Sequence, residues 1–188
     1  MHFVVEVLAD RTRFANFVHK NIILIGPMGV GKSTVGRQLA RQLKMNFIDA
    51  DQEIEQRTGA SINLIFDIEG EPGFREREER LIEELSQKEN IVLATGGGAV
   101  LRESNRKNLR RAGIVVYLHA PVDTLLKRTR NSKTRPLLQT GDPAARLRQL
   151  LQERDPLYRQ EADIIVDSDR RSAASVARSI IDRIEDTR

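Results

Sequence analysis

Short apolar runs alternate along this chain with longer stretches in which apolar residues recur every three or four positions. The runs are Asn21-Ile-Ile-Leu-Ile25, Asn46-Phe-Ile-Asp49, Ile91-Val-Leu-Ala94, Ile114-Val-Val-Tyr-Leu118 and Asp163-Ile-Ile-Val166. Consecutive apolar and β-branched positions predict strands covered on both faces. Between them, Val35/Leu39/Leu43 predicts a helix from Ser33 to Lys44. Phe74/Leu81/Leu85, Leu147/Leu150/Leu151 and Val176/Ile180/Ile184 predict further helices. Such alternation predicts a doubly wound α/β fold with a parallel sheet. Ligands of these folds sit beyond the carboxyl ends of the strands, so the chemistry belongs in the residues that follow each run.

After the first run comes Gly26-Pro-Met-Gly-Val-Gly-Lys-Ser-Thr34, which matches the phosphate-loop pattern G-x-x-x-x-G-K-[ST] between a strand and a helix. Its glycines permit positive φ and let amide N–H groups crowd around phosphate oxygens. Lys32 suits the β- and γ-phosphates, and the Ser33 hydroxyl suits Mg²⁺. The helix that follows aims its N-terminus at the anion. A nucleoside triphosphate is the expected ligand.

Asp49-Ala-Asp51 follows the second run and opens a helix. Either acid can cap that helix; facing a Mg·ATP loop, one can instead hold the metal through water while the other orients and deprotonates a hydroxyl. Thr95-Gly-Gly-Gly98 follows the third run, where absent side chains let a ligand touch backbone amides. In Gly70-Glu-Pro-Gly-Phe-Arg-Glu-Arg-Glu-Glu-Arg80 most charges read as a solvated helix face with i,i+4 pairs such as Glu76–Arg80. Arg75, in the first turn, gains nothing from the helix dipole, which points to an anionic ligand. The basic stretch from Arg128 to Leu138 reads as solvated surface or as a lid carrying an arginine to the phosphoryl group. Arg154-Asp-Pro-Leu-Tyr158 is expected to end a helix, where Arg154 either meets the C-terminal dipole or reaches back to substrate. Val166-Asp-Ser-Asp-Arg-Arg171 leaves the last strand beside the nucleotide region, in a place to cover a base.

Composition narrows the class. With 188 residues and no cysteine, a single domain without disulfides or thiolate chemistry is expected. The three histidines, His2, His19 and His119, form no ligand-spaced pair. A formal charge of +4 fits anionic small ligands, while an aromatic content of 4% with no tryptophan offers no stacking platform for nucleic acid. No run is long enough to span a membrane and the N-terminus lacks the shape of a signal peptide, so a cytoplasmic protein is expected. Residues 1–20 precede the first strand and receive no function.

Taken together, GPMGVGKST, DAD, FRERE, TGGGAV, RPLL and RDPLY resemble the shikimate kinases, small P-loop kinases of aromatic amino acid biosynthesis, from about Asn21 onward. The resemblance implies a three-layer sandwich around a five-stranded parallel sheet in the order 2-3-1-4-5. One domain over 21–188 would carry a substrate-binding region at about 51–80 and a lid at about 130–141. It implies that Gly29, Val30, Gly31, Lys32, Ser33 and Thr34 bind ATP, with one Mg²⁺ held by Ser33 and, through water, by Asp49. Asp51 would hold shikimate and act as base at the 3-hydroxyl. Arg75 and Arg154 would clamp the substrate carboxylate, and Gly97 and Gly98 would touch substrate through backbone. Arg135 would be the lid arginine at the phosphates, Arg128 would lie against adenine, and Arg171 would also bind ATP. A monomer is implied. Gluconate or nucleoside monophosphate kinases are the nearest alternatives, and DAD, TGGG and RDPLY argue against both. A GTPase switch is disfavoured because no N-K-x-D tetrapeptide occurs.

Overall fold

The computed structural model describes residues 21–130 and 142–186. The residues before and after these, and the stretch containing Arg135 with nearly all of the expected lid, lie outside the described residues. Five parallel strands form one sheet: β1 (Asn21–Ile25), β2 (Asn46–Asp49), β3 (Ile91–Ala94), β4 (Gly113–His119) and β5 (Ile164–Asp167), in the order β2-β3-β1-β4-β5. The β1–β3 register pairs Leu24 with Ala94, and the β1–β4 register pairs Ile25 with Tyr117. Three strands match the sequence reading residue for residue. β4 is two residues longer. β5 starts one residue later, because Asp163 exchanges bonds with Val115 through both its main chain and its carboxylate and so leads into the strand.

The central strand shows why such runs are apolar throughout. Ile22 and Leu24 face one core with Val35 and Leu39 of α1 (Lys32–Leu43) and with Val176 and Ile180 of α7 (Ala173–Asp186). Ile23 and Ile25 face a second core with Phe74, Leu81 and Leu85 of α3 (Ile62–Leu85) and with Leu109 of α4 (Glu103–Ala112). Each buried Ile or Leu contributes roughly 1.5–3 kcal/mol. α2 (Ala50–Thr58) follows β2 directly. α5 (Val122–Thr129) follows β4, and α6 (Pro143–Glu161) precedes β5. No helix among the described residues is long and apolar enough to cross a membrane.

Two helices depart from expectation. α3 is broken at Gly70, whose φ of 69° and ψ of −179° interrupt the helical ladder. That conformation belongs to glycine, and it turns the chain so that Phe74 and Arg75 face the sheet. α6 does not end at Arg154-Asp-Pro-Leu-Tyr158: it runs on through Pro156 to Glu161. Pro156 removes one helical hydrogen bond, while Tyr158 is buried and Glu161 pairs with Arg106 and Arg110 on α4, which holds the last turns in place. Arg154 therefore lies mid-helix, and the C-terminal-dipole explanation for it falls. The pair Glu76–Arg80 is also replaced. Among the described residues, this stretch makes Arg77–Glu69, Arg75–Glu71 and Arg75–Glu78 pairs instead.

Candidate active site

The phosphate loop takes the shape its glycines allow. Gly26, Gly29 and Gly31 have φ of 138°, 78° and 101°. Lys32 is buried and donates to the carbonyls of Gly26 and Pro27, each at 2.8 Å. The ammonium is thus held over the loop, in reach of the anion position. Ser33, in the first turn of α1, donates from Oγ to Asp49 Oδ2 at 2.5 Å. The other oxygen of Asp49 caps α2, accepting from the amides of Asp51 and Gln52 at 3.1 and 3.3 Å. The capping reading of Asp49 therefore holds for one oxygen, while the other is taken by Ser33. One carboxylate ties Ser33 of the phosphate loop to the helix that presents Asp51.

These groups open into a cleft of about 650 Å³. Gly29 to Thr34 line it with Asp49, Asp51, Arg128 and Arg171. Arg128, on α5, donates to the Val30 carbonyl at 3.1 Å and to the Ser168 carbonyl at 3.0 Å, and Ser168 Oγ donates to Val30 at 3.0 Å. The loop after β5 is thereby pinned beside the phosphate loop. Arg171 is bound by Asp167 and Ser175 at the rim.

Arg75, Arg154, Gly97 and Gly98 do not line this cleft. Arg75 and Arg154 lie within charge range of Glu78, which is fully buried, while Gly98 packs on Arg75 and Gly97 borders the phosphate loop. Glu78 Oε2 accepts from Arg75 Nη1 at 2.6 Å, and Arg75 also bonds Glu71 at 2.9 Å. Burial pushes the Glu78 carboxyl above the ordinary 4.5, with Arg75 opposing and Asp51 adding to the rise. Burial draws the Arg75 guanidinium down, but Glu78 and Glu71 outweigh it and keep the group cationic. Glu78 Oε1 and Arg154 Nε are buried atoms without a hydrogen-bond partner in the protein. Two such atoms of opposite character beside one glycine loop suit a polar ligand.

The glycines leave room for this arrangement. A β-carbon on Gly96 would lie 2.5 Å from Glu78 Oε1 and 2.9 Å from Asp51 Oδ1, and one on Gly98 only 2.1 Å from Arg75 Nη2. One on Gly97 would meet the phosphate loop, at 3.4 Å from the Met28 amide nitrogen. Thr95 caps the junction, its N–H and hydroxyl both donating to the Leu24 carbonyl at 3.1 and 3.2 Å. Asp51 therefore borders both regions: the triphosphate cleft and the Gly96–Glu78 cluster.

Glu78 and Tyr158 escaped the reading of the sequence. Glu78 sits in an Arg/Glu-rich string that looks solvated, yet Phe74, Glu78, Leu81 and Leu85 share one helical face, and that spacing was the available signal. Tyr158 follows Arg154 by one turn of α6, and its hydroxyl donates to the Gly97 carbonyl.

Comparison with known proteins identifies the family. Residues 28–185 match the family model described as Shikimate kinase. A shikimate kinase of Pseudomonas entomophila (strain L48) is 55% identical over 166 residues, covering 88% of this chain and 96% of the relative. One of Nitrosococcus oceani is 56% identical over 161 residues, covering 86% and 85%. The structure of shikimate kinase from Acinetobacter baumannii in complex with shikimate superposes with a TM-score of 0.89 at 48% identity, covering 90% of this chain and 94% of that one. A gluconokinase from Sinorhizobium meliloti, at 18% identity and a TM-score of 0.59, shares the fold alone. The chain belongs to the shikimate kinase family.

Proposed function

We propose that this protein transfers the γ-phosphoryl group of Mg·ATP to the 3-hydroxyl of shikimate, releasing ADP and shikimate 3-phosphate. The position of Asp51 carries the reading: it borders the triphosphate cleft on one side and the Gly96–Glu78–Arg75 cluster on the other. A hydroxyl held there lies between a base and a phosphate loop.

The residues divide the work. Gly29 to Thr34 and Lys32 hold the β- and γ-phosphates, while Arg128 and Arg171 flank the base. Asp51 orients the acceptor hydroxyl and takes its proton as the new O–P bond forms and the bond to ADP breaks. Arg75 and Arg154 bind the substrate carboxylate, with charge-assisted bonds worth roughly 1.5–3 kcal/mol each. Gly97 and Gly98 add backbone contacts. Arg135, outside the described residues, is assigned the phosphoryl group in transit.

The Ser33–Asp49 pair of hard oxygens fits Mg²⁺, with Ser33 as ligand and Asp49 reaching the ion through water. Mg²⁺ in such a site would draw its other ligands from phosphate oxygens and water. When bound, the ion neutralises charge on the transferring phosphates. A monomer in the cytoplasm completes the reading.

ADP release from Mg·ATP is expected to depend strongly on shikimate and not on gluconate. Equal turnover without shikimate would sink the assignment. Arg75→Ala is expected to raise the shikimate KM while leaving the ATP KM unchanged; an unmoved shikimate KM removes Arg75 from the clamp.

A further inference from the structure

We propose that Tyr158 is a positioning residue for the acceptor: by holding the Gly97 carbonyl, its hydroxyl fixes the plane of the Gly97–Gly98 peptide that meets the substrate. The inference rests on the reading above, in which Gly97 and Gly98 touch shikimate through their backbone. It concerns what keeps a glycine loop, the most pliable kind of backbone, in one orientation.

Tyr158 is 1% exposed, and its hydroxyl donates to the Gly97 carbonyl across 61 residues of sequence. In a trans peptide the C=O and the next N–H point in opposite directions. Pinning the Gly97 carbonyl therefore sets the direction of the Gly98 N–H. The tyrosine is itself braced. Its ring stacks on the Tyr117 ring with centroids 5.0 Å apart, while the Tyr117 hydroxyl is engaged elsewhere, donating to Asp155 Oδ1 at 2.6 Å. Arg154 and Tyr158 stand one turn apart on α6, so the helix that presents the carboxylate-binding arginine also grips the glycine loop.

A residue needed only to fill this space would be phenylalanine, since a buried hydroxyl is costly unless it is bonded. Burial raises the phenol to about 12, with Arg154 opposing, so the hydroxyl remains a donor throughout any assay near neutrality.

The test is Tyr158→Phe, which keeps the ring and removes the donor. The shikimate KM is expected to rise on the order of tenfold, with kcat changed by less than about threefold and the ATP KM unmoved. Tyr117→Phe, which also loses a buried hydroxyl but does not touch the loop, is expected to lower the unfolding temperature without that KM change. A Tyr158→Phe enzyme with lowered unfolding temperature and wild-type shikimate KM overturns the proposal and leaves the kinase reading intact. Wild-type turnover indifferent to shikimate takes down both.

The chain has two tyrosines, so 3-fluorotyrosine incorporated into Tyr117→Phe protein reports on Tyr158 alone even if Tyr158→Phe does not fold. Its fluorine resonance is expected to move on saturation with shikimate. A resonance that stays put overturns the proposal.

Discussion

Gly98→Ala isolates the acceptor clamp from every other feature of the fold. The backbone at Gly98 has φ −101° and ψ 0°, which alanine tolerates, so the glycine is required there for space and not for conformation. A methyl group would stand 2.1 Å from Nη2, 2.3 Å from Cζ and 2.5 Å from Nη1 of Arg75, where ordinary contact begins at 3.4 Å. The guanidinium would have to retreat by about 1 Å. It cannot swing aside freely, because Glu78 holds it at 2.6 Å and Glu71 at 2.9 Å. A misplacement of about 1 Å in a positioning group costs on the order of 100-fold, or ~2.7 kcal/mol of transition-state stabilisation. Steady-state ADP release, with shikimate varied at saturating Mg·ATP, is expected to show that loss in kcat/KM for shikimate with the ATP KM unchanged. Gly59→Ala serves as control: its φ of 67° makes alanine strained by about 1–2 kcal/mol, but an added methyl meets nothing within 4 Å and Gly59 lines neither the cleft nor the Gly96–Glu78 cluster. That variant is expected to lose stability and keep wild-type shikimate kinetics. A folded Gly98→Ala enzyme with shikimate kcat/KM within about threefold of wild type would refute the claim that Arg75, packed on this glycine, holds the acceptor.

Further outcomes follow from the same geometry. Asp51→Asn is expected to cut kcat by roughly 100-fold or more with ATP affinity nearly intact, checked by turnover and nucleotide titration. Ser33→Ala is expected to raise the Mg²⁺ concentration needed for half-maximal rate, since it removes the hydroxyl that pairs with Asp49; an unchanged Mg²⁺ requirement would detach Ser33 from the metal. For pH, the Glu78 carboxyl is raised above 4.5 in the fold, first by burial. The folded state then holds a proton that the unfolded state has released, so this group's contribution to stability declines as pH climbs from 4.5 through its folded value. Denaturant midpoints of wild type minus Glu78→Gln, measured across that window, are expected to fall with pH; a flat difference would contradict the burial of an ionisable Glu78.

Much of the architecture was legible because parallel strands covered on both faces leave consecutive apolar residues, as in Ile22 to Ile25, and because the loops between them carry glycines and acids at strand ends. The order of the strands was not written in any spacing and came from the resemblance to a family. Helix limits were read worst where a breaker was overruled. Pro156 looks like a stop, but buried Tyr158 and paired Glu161 carry α6 past it. Gly70 looks like a loop residue, yet it joins two helical segments. At the site, Lys32, Ser33, Asp49 and Asp51 were legible because motif and strand end coincide. Glu78 was hidden by its charged neighbours, and the grip of Tyr158 on Gly97 depends on a tertiary contact that no local pattern encodes.

The pairing of Leu24 with Ala94 has a consequence for how such an enzyme can change. The phosphate loop leaves β1 and the glycine loop leaves β3, adjacent strands whose main chains run about 4.8 Å apart. With the acceptor on the glycine loop, as proposed, the separation of phosphoryl donor and acceptor is a main-chain yardstick, set by the sheet before any side chain is chosen. Substitutions along α2, α3 and α6 can drift toward a different acceptor without altering that measure, whereas a one-residue slip between β1 and β3 would ruin transfer for every acceptor at once.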